Sequence, residues 1–273
     1  MGEQLIDKML PILEQMDWSQ NPEASEQGHQ AYLVGLDRLD TYDGSTKVLS
    51  AALRTFQSGA SLPYAYAGVA FTLIVAAKEQ DGSYSQKGLD AAMTWLETAQ
   101  DATPDIFEIN VIEAFVYTYG GRHDDARLVL DYLQQVEPDN FLLLKAEIAY
   151  WRRLGELKET VNWFNKAAAA AETVPQRLRL RVQLGDYYFE QHMLDDALSV
   201  YKEAVHFNKK SIVLWHKISQ IYWQQEDYEE AEISNQQALR LQKDYEPAQK
   251  MHEALKQKKS EGSRLGRLFG GRG

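Results

Sequence analysis

Apolar residues recur at helical spacing in pairs of segments parted by short turns, such as Gly155–Glu156 and Glu226–Asp227. That pattern predicts helical hairpins. It also repeats. The segment LDDALSVYKEAV from Leu194 aligns with YEEAEISNQQAL from Tyr228, so that Ala197 and Ala204 return 34 residues later as Ala231 and Ala238. One step back, LKETVNWFNKA places Thr160 and Ala167 in the same slots, 37 residues earlier, with Phe164 between them. A further step of 34 reaches Ala126 and Leu133 in HDDARLVLDYLQQVEP, closed by Pro138. Four units therefore share a register, over 107–140, 141–177, 178–211 and 212–245.

Upstream the register loosens. Tyr32, Leu36 and Leu39, then Val48, Ala52, Leu53 and Phe56, predict a divergent hairpin over 25–59. Gly68 and Phe71 fill first-helix slots of another, and Ala92, Leu96, Ala99 and Pro104 its second-helix slots, with about twelve extra residues between them. Leu62 to Ala77 is mostly apolar, but its 16 residues are interrupted by Pro63, Gly68 and Thr72. Spanning a bilayer takes about 20, so a buried helix is expected there. Leu5, Met9, Ile12, Leu13 and Met16 form a stripe expected to cover the first hairpin, with Pro11 kinking or ending that helix. At the other end Ala248, Met251 and Leu255 suit a capping helix over 246–259, followed by a flexible basic tail over 260–273. The expected fold is all-α, with divergent hairpins and an N-terminal cap in 1–106 and the four registered units in 107–245.

The last two units resemble the tetratricopeptide repeat, whose 34-residue pattern runs W-x2-L-G-x2-Y, then A-x3-F, then P. Trp215, Ile218, Ser219 and Tyr222 lead to Tyr228, Ala231 and Ala238; in the preceding unit Leu184, Gly185 and Tyr188 lead to Ala197, Tyr201 and Ala204. Trp151, Gly155, Leu157, Phe164 and Ala167 agree in the second unit, and Ala114, Tyr117, Gly121, Ala126 and Pro138 in the first. The resemblance is clear over 107–245 and degenerate over 25–106. It implies a right-handed helical-hairpin solenoid of about six hairpins with terminal capping helices. The small residues are then expected where helices cross closely, and the aromatic ones in the wider gaps.

The resemblance also implies a concave groove lined by first helices and taking a peptide or extended protein segment. Its slots hold Val111, Phe115, Thr118 and Tyr119; then Lys145, Ala149, Arg152 and Arg153. They continue with Arg179, Val182, Asp186, Phe189 and Glu190, and with His216, Gln220, Trp223 and Gln224. The groove is expected to run from apolar and aromatic to mixed polar, with His216 an ordinary surface histidine. No helix pairs a Lys with an Asn in the slots by which some relatives clamp a terminal carboxylate, so that mode is disfavoured.

Composition narrows the chemistry. With 29 Lys+Arg against 40 Asp+Glu the net charge is −11, which repels phosphate backbones, so nucleic acid is not an expected partner. There is no cysteine, which excludes disulfides, thiolate metal sites and thiol nucleophiles. The six histidines lack the spacing of a zinc-protease helix, and phosphate-loop, nucleophile-elbow and calcium-loop motifs are missing. No metal, cofactor or catalytic residue is expected. The surviving enzyme reading is a helical glycan-active protein using carboxylates such as Glu113, Glu147 and Glu190, which solvated helix faces explain more simply.

Charge is segregated toward the end of the chain. From Lys256 onward, six basic residues face Glu261, a net of +5 that leaves −16 on the remainder. Leu265, Leu268 and Phe269 sit at helical spacing among Arg264 and Arg267, a pattern able to dock on an anionic membrane or an acidic protein. Met1 to Trp18 is broken by Glu3, Asp7, Lys8 and Glu14 and does not read as an export signal. The expected role is a cytoplasmic, non-enzymatic protein-interaction adaptor or assembly factor, the alternative being a peripheral membrane assembly factor that uses the tail.

Overall fold

In a computed structural model of the chain, residues 2–18, 25–42, 44–103 and 106–269 are described, the side chains of Ala102 and of 261–269 excepted. Pro104, assigned above to a second-helix slot, lies outside them. Among the described residues there are fourteen helices and no strand beyond an isolated Lys78–Tyr84 bridge, so the all-α expectation holds. None of these helices is long and apolar enough to cross a membrane. The chain divides into two compact units, residues 1–166 and 167–273.

The first unit opens with α1 (Gly2–Gln15) and continues as packed pairs: α2 (Glu26–Leu39) with α3 (Thr46–Gly59), α4 (Leu62–Ala76) with α5 (Gln86–Ala102), α6 (Phe107–Tyr119) with α7 (His123–Val136). Then comes α8 (Phe141–Leu154), and α2, α4, α6 and α8 pack against one another in succession. The uncharged α4 is buried along almost its whole length, as its composition predicts. Phe56 of α3 reaches between the backbones of α2 and α4. A Cβ on Gly35 or Gly68 would stand 2.1 or 2.5 Å from its ring, which explains both glycines. α9 (Leu157–Ala170) spans the boundary between units.

In the second unit α10 (Val174–Glu190) pairs with α11 (Leu194–Phe207), and α12 (Ile212–Gln224) with α13 (Tyr228–Leu241). α14 (Glu246–Phe269) packs on α13 and runs on past Lys259.

Placement of α1 corrects the sequence reading. It packs on α4 and α5, not on the first hairpin, and it continues through Pro11. The cause is polar as well as apolar. Glu79, in the loop after α4, accepts hydrogen bonds from the Gly2 and Glu3 amides at 2.9 and 2.8 Å, satisfying donors that a helix start leaves open. Lys87 of α5 pairs with Asp7, while Ile6 and Leu13 are buried against the same hairpin.

The repeat register is visible in the turns. After α6, α8, α10 and α12 a residue with left-handed backbone follows: Gly121, Gly155, His192 and Glu226, with φ of 75°, 76°, 58° and 61°. Each time the next amide donates back five residues, to the carbonyls of Tyr117, Trp151, Tyr188 and Tyr222. This is the glycine-type helix stop that closes orphan carbonyls. The small-residue slots follow five positions later, at Ala126, Thr160, Ala197 and Ala231, all fully buried.

Glycine adopts this conformation freely, whereas a side chain there costs about 1–2 kcal/mol. Glu226→Gly is therefore expected to stabilise the second unit by about 0.5–1 kcal/mol after the entropy of the unfolded chain is counted, seen as a raised urea midpoint. Gly121→Glu, the reverse change, is expected to lower the urea midpoint of the first unit.

Candidate functional site

The first-helix side of unit 1 is an aromatic ladder. Phe71 of α4 and Phe115 of α6 lie 5.3 Å apart between ring centroids, Phe115 and Tyr119 6.1 Å. Tyr119 in turn stacks on Tyr84 at 4.0 Å with the rings 14° from parallel. Tyr84 comes from the loop between α4 and α5, whose ends are tied by the Lys78–Tyr84 bridge. Burial pushes both phenols above their ordinary value, against the pull of Arg152 and Arg153 on α8. Arg152 is half-buried, Arg153 is exposed and donates from Nη1 to the Gly82 carbonyl at 3.4 Å.

Several expected groove residues take other roles. Val111 and Phe115 are 0% and 4% exposed, because α6 is covered by α4 on one side and α8 on the other. They are core, not groove surface. Lys145 is paired with Asp40 at the end of α2, and its ammonium stands 6.0 Å from the centre of the Phe71 ring. Its charge is thus already matched. Tyr119, half-buried, remains at the surface with Arg152 and Arg153.

The carboxylates considered for glycan chemistry also separate. Glu147 is fully buried, contrary to the expectation of a solvated face. It accepts from Arg127 Nη1 and Nη2 at 3.0 and 2.9 Å and from Trp151 Nε1 at 3.0 Å. A buried carboxylate persists when paired and hydrogen-bonded in this way. Glu113 accepts from the Tyr117 hydroxyl at 2.7 Å, and Glu190 lies in the other unit, exposed.

In unit 2, Asp186 of α10 is held from two sides, by the Tyr201 hydroxyl and by Lys217 Nζ at 2.6 Å. Burial and this carboxylate push the Tyr201 phenol upward. His216 departs from expectation: it is buried, not at the surface, with its ring edge-on to Tyr245 at 5.7 Å. Burial lowers its pKa, outweighing a hydrogen bond with Asn235. Arg179 and Gln220 are half-buried, and Trp223 packs edge-on against Tyr228 at 5.2 Å. The side chains of Arg264, Leu265, Arg267, Leu268 and Phe269 lie outside the described residues.

Against this geometry, the family model described as the tetratricopeptide repeat matches residues 212–245, which hold α12 and α13. The chain has the helical fold of tetratricopeptide repeat proteins. Similar solved structures agree on the tetratricopeptide fold. One is a signal transduction ATPase with numerous domains, carrying a tetratricopeptide repeat sensor, from Pyrococcus horikoshii. It is 14% identical with a TM-score of 0.59, over 89% of this chain and 42% of that one. Another is the APC/C hetero-tetramer Cut9–Hcn1, 14% identical with a TM-score of 0.53, over 84% of this chain and 46% of that one. The chain spans less than half the length of either, and at this identity the likeness concerns the fold alone. No curated protein sequence matches it. Tetratricopeptide repeats are scaffolds for protein–protein interaction.

Proposed function

We propose that this chain is a non-enzymatic adaptor or assembly factor that binds an extended segment of a partner protein along the first-helix face of residues 1–166. The observation that carries the reading is the stacked Tyr84–Tyr119 pair flanked by Arg152 and Arg153. Two parallel rings offer a flat apolar face. The guanidinium groups beside them select carboxylates, to which arginine donates in bidentate pairs. A segment with an aromatic or aliphatic anchor next to acidic residues satisfies both. Phe115 stacks against Tyr119 within this face, whereas Arg179, Gln220 and Trp223 lie in unit 2.

The test is affinity capture from the native host with the full chain and with an Arg152→Ala, Arg153→Ala variant. Both side chains reach solvent, so the variant is expected to fold normally by circular dichroism. Loss of a specific partner in the variant alone supports the reading. Retention of every partner contradicts it.

A further inference from the structure

A second candidate site lies in unit 1, away from the first-helix ladder. A cavity of about 430 Å³ opens between α1, the residues just after it, α4 and α5. Trp18, Tyr66 and Trp95 meet there. Their ring centroids are 6.0, 5.6 and 5.4 Å apart, and the planes are inclined to one another by 53–70°. Rings in such contact are ordinary packing when they are buried. Here all three are only half-buried and line the cavity.

One charged group gives the cavity a chemical preference. Glu14 lines it, exposed and in no ion pair among the described residues. The site thus presents π-rich rings and one carboxylate.

We infer that this cavity is a receptor for an arginine side chain of a partner peptide. A guanidinium stacks on aromatic rings and is attracted by their negative faces. Its positive charge complements Glu14, and its three-carbon stem covers the apolar wall at Leu10 and Leu13. A purely apolar anchor would make no use of the Glu14 charge. An anionic group is repelled by Glu14.

The test uses the full chain labelled with 5-fluorotryptophan and titrated with N-acetyl-argininamide, followed by fluorine NMR. Trp18 and Trp95 resonances are assigned through Trp18→Phe and Trp95→Phe. Saturable shifts of these two resonances, with Trp151, Trp163, Trp215 and Trp223 still, are expected. N-acetyl-citrullinamide, the neutral isostere, is expected to bind at least tenfold more weakly. Glu14→Gln, at an exposed position that leaves the helix intact, is expected to weaken argininamide at least threefold.

Equal binding of the citrulline compound, or indifference to Glu14→Gln, would show that the cavity does not select a cation and would overturn the assignment. So would argininamide shifts that bypass Trp18 and Trp95. None of these outcomes depends on Arg152 or Arg153, so the first-helix reading stands or falls separately.

Discussion

Glu147→Ala is expected to destabilise the first unit by about 3 kcal/mol. Breaking a buried ion pair by removing one member leaves the other desolvated and unmatched, at about 3–5 kcal/mol. Arg127 is 25% exposed and keeps Asp131 at 2.8 Å, which holds the cost at the lower end. Trp151 loses its indole acceptor at the same time. Glu147→Gln retains a carbonyl for one donor, so a cost of about 1–2 kcal/mol is expected from the loss of a charge-assisted bond. Urea unfolding followed by circular dichroism reads the difference. Equal midpoints for wild type and Glu147→Ala would mean that Arg127 and Trp151 find solvent without penalty.

Gly185→Ala is expected to cost about 1–2 kcal/mol in the second unit, although alanine is the better helix former. The added Cβ would stand 2.5 Å from Tyr201 Cε1. Tyr201 is 1% exposed and its hydroxyl is bound to Asp186, so the ring has little room to withdraw. Overpacking of this kind costs about 1–3 kcal/mol, against a gain of about 1 kcal/mol in helix propensity. Tyr201→Phe with Gly185→Ala is the informative companion. Freed from Asp186, the ring is expected to shift and recover part of the loss. A Gly185→Ala chain as stable as wild type would contradict the close α10–α11 contact.

The alanine spacing was legible in the sequence because close helix crossings admit only small side chains, and the fully buried Ala126, Ala197, Ala231 and Ala238 bear it out. Turn glycines were legible at Gly121 and Gly155. At His192 and Glu226 the same left-handed turn carried no glycine to mark it. The site was less legible, for physical reasons. Periodicity names the face of a helix but does not say which face a neighbour covers, so Val111, Phe115 and His216 read as surface and are buried. A charge on a helix looks alike whether solvated or paired: Glu147 finds Arg127 20 residues back, and Lys145 finds Asp40 105 residues away. Tyr84 sits in a loop outside any period, yet it completes the ladder. The α1 stripe announced an amphipathic helix without naming the hairpin beneath it.

Apolar residues are also exposed elsewhere in unit 1, at Leu128, Tyr132 and Val136 of the second helix α7, which are 73%, 59% and 50% exposed. They give the proposal a concrete competitor. Hydrogen exchange with and without a captured partner tests the two surfaces in one measurement. Protection is expected in the loop over 77–85, at the end of α6 and in α8, with α7 unchanged. Protection confined to α7, with Tyr84, Tyr119 and Arg152 exchanging as in the free chain, would contradict the first-helix face as the binding surface.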